Sequence, residues 1–206
     1  MYDRDTGSLW SQVIGRAVAG PLAGQLLEEL PSQLTNWGDW KTRHPETLAL
    51  RVVGGRPRGA AYAEYHRDGT RIGIHGTRSP DERLPVKALV FGVRVGDAEA
   101  AVSLLKVKQD GLVQGAVDGW PIAVFSVGAQ GETALSYSRM LEGRSLSFES
   151  VDGLRVRDRE TGSLWWRESG ECLEGELAGK TLTPVSGKMV YWGVWAQMHP
   201  SSELVF

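Results

Sequence analysis

The chain has a single cysteine, Cys172, in 206 residues, so it can form no intrachain disulfide, and a zinc site would have to draw on other ligand types. There is no run of eighteen apolar residues, and Met1-Tyr2-Asp3-Arg4 has neither the basic start nor the apolar stretch of a signal peptide. As written, the sequence carries no transmembrane segment and no address. No sign of charge dominates: 23 Lys and Arg face 25 Asp and Glu, a formal net of -2, which gives no electrostatic reason to expect nucleic acid or an anionic membrane as partner. The four histidines show no recognised metal spacing. No Gly-x-Ser-x-Gly, P-loop, His-Glu-x-x-His or dinucleotide fingerprint occurs. Catalysis has no positive signal, and the expectation is no metal and no cofactor.

What is present is enough to fold. A hydrophobic fraction of 41% can supply a core, and 26 glycines among many β-branched residues point to short strands and tight turns. The strongest feature is internal. Asp3-Arg4-Asp5-Thr6-Gly7-Ser8-Leu9-Trp10 returns as Asp158-Arg159-Glu160-Thr161-Gly162-Ser163-Leu164-Trp165, at an offset of 155 residues. At the same offset Gly20-Pro21-Leu22-Ala23-Gly24 returns as Gly175-Glu176-Leu177-Ala178-Gly179. Trp37-Gly38-Asp39-Trp40 with His44-Pro45 returns as Trp192-Gly193-Val194-Trp195 with His199-Pro200. Three blocks at one offset imply a duplicated unit.

Residues 2–30 read as a meander of short strands, turning at Thr6-Gly7 and again at Pro21 to Gly24, with Leu26 to Leu30 as a returning strand. Asn36 fits a helix N-cap, and the helix must end by His44 because Pro45 follows. On it Trp37, Trp40 and His44 share one face. Residues 51–85, rich in Gly, Arg and Pro, read as a long polar connection, pinned by Tyr62 and Tyr65 or partly mobile. From Val86 the strand signal is strong: Val86 to Val95 and Ala98 to Leu104 about a Gly96-Asp97 turn, then Leu112 to Val117 and Trp120 to Val127 about Asp118-Gly119. Thr133 to Met140 and Ser145 to Val151 follow. The expected division is therefore 1–50 as the last part of a first unit, 51–85 as connection, and 86–206 as a complete second unit. The fold class is mainly β with short helices (α+β).

The repeated blocks, together with Asp81-x-Arg83-Leu84-Pro85 and Gly92-Val93-Arg94-Val95-Gly96, resemble the bacterial and archaeal family of domain of unknown function 3179, over nearly the whole chain. The resemblance implies two tandem units, commonly behind a signal peptide or lipoprotein leader and hence extracytoplasmic, and it implies no reaction. It also implies a paired-cysteine segment ahead of the first Asp-Arg-x-Thr-Gly motif, which this sequence lacks. At the matching place in the second unit Val127 and Gln130 stand where the cysteines would be. The expectation that follows is of an N-terminally truncated member whose first unit has an open strand edge, with docking onto the second unit, local instability or self-association as its outlets.

Candidate binding residues are Trp37, Trp40 and His44 with their copies Trp192, Trp195 and His199, since two indoles and an imidazole can stack a sugar, a flat ligand or a cation. The alternative is that the indoles anchor each helix to its sheet, and this is the favoured reading. Asp3-Arg4 and Asp158-Arg159 are candidate ligand clamps, against an Asp that bonds its own turn amides. His66, His75, Glu64 and Asp68 form a loose polar cluster read as surface side chains. Cys172, whose counterpart is Ala17, reads as a buried inert thiol. The leading function is a non-enzymatic binding or structural module. The alternative is a metal-dependent or redox enzyme whose decisive residues lie upstream.

Overall fold

The computed structural model describes residues 1–30, 32–51, 59–73, 81–128 and 130–205. Among these residues the protein is mostly β with four short helices. Its body is a stack of layers set by the period of two along each strand. Strands β3 (Leu89–Val95) and β4 (Ala98–Ser103) pair about the Gly96-Asp97 turn. They are flanked by β15 (Gly187–Tyr191), antiparallel to β3, and β16 (Glu203–Val205), parallel to β4. One face of this sheet carries Phe91, Val93, Ala100 and Val102 into a first core. The other carries Val90 and Ala101 against helix α4 (Trp192–Met198).

The second sheet runs β14 (Pro184–Val185), β7 (Thr133–Ser138), β6 (Trp120–Val127), β5 (Leu112–Val117). It lies between two cores: Ile122 and Val124 of β6 face the first, while Ala123, Phe125 and Val127 face another. That double burial is why β6 reads as a continuous apolar run from Ile122 to Phe125. The far core is closed by a third sheet of β10 (Phe148–Ser150), β11 (Arg155–Asp158), β12 (Leu164–Trp166) and β13 (Cys172–Glu174), through Phe148, Val156, Trp165 and Cys172. A two-stranded ribbon, β8 (Met140–Leu141) with β9 (Arg144–Ser145), links the second and third sheets.

The turns follow their residues. Asp118 and Gly119 both take positive φ, 50° and 77°, the mirror-image turn that suits the twist of a two-residue hairpin. Between β4 and β5, however, the chain forms helix α3 (Leu104–Asp110), where the sequence suggested a strand ending at Leu104 and no element after it. Leu104 and Val107 enter the first core, and Gly111 closes the helix at φ 78°. The polar connection likewise holds a helix, α2 (Gly59–Arg67). The Lys87 ammonium caps its end by donating to the Tyr65 and Asp68 carbonyls, and lies 3.8 Å from the Tyr65 ring centre. His75 lies outside the described residues, as does the Tyr62 side chain. His66 meets the Tyr191 hydroxyl at 3.3 Å.

Residues 1–51 hold β1 (Leu9–Ser11), β2 (Arg16–Ala19) and helix α1 (Trp37–Arg43). Leu26 to Leu30, expected as a strand, contributes one bridge, Leu26 to Arg16. Hydrogen bonds recur at the offset of the sequence repeat. Gly7 to Asp3 matches Gly162 to Asp158, and Leu27 to Gly15 matches Leu182 to Gly170; likewise Leu22 donates to Ser8 Oγ as Leu177 does to Ser163 Oγ, both at 3.2 Å. Burial does not recur. Trp165 is in the core, yet among the described residues of 1–51 the only buried side chains are Ser8 and Ala17. This segment is held to the body chiefly by polar contacts. Glu29 Oε1 accepts from Arg94 Nη2 and Lys188 Nζ, both at 2.9 Å, Ser186 Oγ donates to the Glu29 carbonyl, and Arg43 pairs with Glu168. No helix among the described residues is long and apolar enough to cross a membrane.

Candidate functional site

Helix α1 forms for local reasons. Asn36 Oδ1 accepts from the Asp39 amide at 2.9 Å, and the His44 N–H closes the last turn on the Trp40 carbonyl before Pro45. The stacked pair Trp40 and His44, with ring centres 4.0 Å apart and 33° between planes, is matched by Trp195 and His199 at 4.1 Å and 35°. Each indole N–H donates to a hydroxyl seven residues on, Trp40 to Thr47 at 3.0 Å and Trp195 to Ser202 at 2.8 Å.

The two helices are used differently. On α4, Trp192, Trp195 and His199 are buried, Trp195 to 1% exposure. Its ring packs so closely on β3 that a Cβ on Gly92 would come within 2.1 Å of it. Arg83 lies over Trp192 at 4.8 Å and reaches the Ser202 carbonyl, so the Asp81-x-Arg83 motif clamps this helix. On α1, Trp37 is 52% exposed, His44 is exposed, and Trp40 is half-buried rather than a core anchor. Trp40 and His44 line a cavity of about 430 Å³ with Gln33, Phe91 and Tyr137. The Gln33 side-chain nitrogen there is buried without a hydrogen-bond partner.

Asp3 and Asp158 bond their own turns. Asp3 Oδ1 accepts from the amides of Asp5 (2.9 Å) and Thr6 (3.3 Å), and the Thr6 hydroxyl donates to its other oxygen. Thr6 and these amides hold the Asp3 carboxyl below the usual carboxylate range. Asp158, fully buried, accepts from the Thr161 amide and hydroxyl and, at 2.8 Å, from Trp165 Nε1. Arg4 is exposed and Arg159 lies 3.5 Å from Glu149, so neither arginine closes on its neighbouring Asp. Cys172 is buried, and burial pushes its thiol up. Among the described residues no group of three or more His, Cys, Asp or Glu is placed to hold a metal ion.

A second cavity, of about 630 Å³, lies on the other side of Glu168. Its residues come from five places: α1, the end of α3, the β6–β7 loop, the β10–β11 turn and the turn after β12. Val127 and Gln130 line it. So does Arg167, only 3% exposed. Burial draws its guanidinium below the ordinary value, the charge of Asp152 working the other way. None of this was a sequence candidate. The one signal was a break in the repeat, Arg167 standing where the first copy has Gln12.

A model of the family described as protein of unknown function (DUF3179) matches residues 1–202. No curated protein and no solved structure matches the chain.

Proposed function

Because the chain belongs to the DUF3179 family, which lends an architecture and no reaction, we propose from its own geometry that it is a non-enzymatic binding module. Its two repeat units have taken different roles. The observation that carries this reading is the contrast between α4 and α1. They share a His C-cap, length and Trp–His stack, yet α4 spends its aromatic face on the core while α1 turns the same face, and its charged flank, toward two adjoining cavities. Packing accounts for the motif in α4. In α1 packing leaves most of it unused, and a concave site lined by apolar surface with a few polar groups is where a small ligand is held.

A thermal-shift screen of small metabolites against the full chain tests the reading. Gly153 lines the larger cavity and a Cβ on it would meet nothing within 4 Å, so Gly153→Trp fills space without a clash. Compounds that raise the melting temperature of the wild type should fail on Gly153→Trp or on Trp40→Ala. If no compound shifts the wild type, or if every shift survives both substitutions, the cavities are not binding sites and a purely structural module is the better reading.

A further inference from the structure

Arg167 is an unusual group to find at the floor of a cavity. Its Nη1 donates to the carbonyls of Gly111 (2.9 Å) and Ser126 (3.4 Å), Nη2 to Ser150 Oγ (2.5 Å), and Nε to the Arg155 carbonyl (3.3 Å). Every one of these partners is neutral. Among the described residues no carboxylate forms an ion pair with it. A buried guanidinium whose hydrogen bonds all go to neutral groups has its charge offset from a distance by Asp152 rather than by a paired carboxylate, and of its five N–H donors one on Nη2 takes part in none of these bonds.

Carboxylates line the cavity too. Its four carboxylates are already served: Asp39 and Glu168 share Arg43, Asp110 pairs with Lys106, and Asp152 with Arg155. Lys108, which also lines the cavity with its stem against Gly131, has no ion-pair partner among the described residues. Three cations, Arg43, Lys108 and Arg167, line the cavity beside these carboxylates, and of the three Lys108 and Arg167 form no ion pair among the described residues. Apolar walls lower the local dielectric and strengthen what they can do.

We propose that this cavity is an oxyanion site, in which Arg167 and Lys108 hold the carboxylate or phosphate group of a small organic anion whose remaining atoms lie against Val127, Leu154 and Trp166. The proposal rests on the binding-module reading above and names its ligand class. Arg is the side chain suited to such a group, since its planar fork matches two oxygens at once.

Isothermal calorimetry on the full chain at low ionic strength, with inorganic phosphate and with succinate as probes, tests it and tells the two oxyanions apart. At least one probe should bind, more weakly as salt is added. Arg167→Met should weaken it by roughly tenfold or more, and Lys108→Gln by a smaller factor. Gly153→Trp, which changes no charge, should abolish it. Should Arg167→Met fail to fold, as circular dichroism would show, the other two variants carry the test. Failure of both probes to bind in the millimolar range, or binding that survives Gly153→Trp, overturns the oxyanion site. If the probes fail while neutral compounds still bind the wild type and not Gly153→Trp, the oxyanion site falls and the binding module stands. If nothing of any charge binds, both fall.

Discussion

Asp152 shows how far one carboxylate can be bound into a turn. It accepts from the Leu154 and Arg155 amides at 2.9 and 2.7 Å and from the Arg155 guanidinium at 2.9 and 2.6 Å. Arg155 and then these amides bring its carboxyl down from 3.8 to about 2. A depressed folded value means that the group's contribution is fully present above pH 3.8 and is lost as pH falls through about 2. An NMR carboxyl titration should place its midpoint near 2, and Arg155→Gln should move it back toward the ordinary range; a wild-type midpoint near 3.8 would contradict the geometry. At this scale the sequence was legible wherever a residue bonds its own neighbours, as with Asp3, Thr6 and Gly7. It was silent about Arg167, whose partners Gly111, Ser126, Ser150 and Arg155 are spread along the chain.

At the level of elements, α1 and α4 offer a matched comparison. Trp195→Ala should cost about 3–5 kcal/mol, the usual loss for emptying a fully packed aromatic site. Trp40→Ala should cost only about 1–2 kcal/mol, because that ring already meets a cavity and solvent. Denaturant titration of the two variants checks both, and equal losses would show that α1 is as firmly seated as α4. Helix α1 could be foreseen because Asn36 and Pro45 mark its ends, and the hairpins because Gly96-Asp97 and Asp118-Gly119 mark their turns. Helix α3 could not. Leu104 follows directly on the apolar run of β4, so it reads as more strand, and only packing of Leu104 and Val107 into the first core settles the matter. Helix α2 escaped for another reason, since its nine residues include no Leu, Ile, Val or Phe to mark an apolar stripe.

Across the whole molecule, burial is uneven. Residues 1–51 are joined to the body mainly through Glu29 and Arg43 and leave Leu9, Val18, Leu26, Leu30 and Leu34 exposed. Hydrogen exchange should therefore find their amides opening well before those of β3 to β7, because local stability follows buried apolar contact. Equally slow exchange in both regions would show the first segment to be as well supported as the body. The blocks that recur in the sequence pointed to hydrogen bonds that recur in the fold, but not to one set lying in the core and the other bordering cavities, since that depends on neighbours the blocks do not contain.

The central strand β6 carries one more consequence. Its side chains from Ile122 to Phe125 are delivered alternately to two cores, so it is a common wall rather than a boundary. Neither core can be opened without removing a face of the other, which binds the three sheets into a single cooperative unit. For the same reason β6 has no tolerant side from Ile122 to Phe125: a charge introduced at any of these four positions would be stranded in an apolar interior whichever way it pointed, so this stretch can vary in shape and volume but not in polarity.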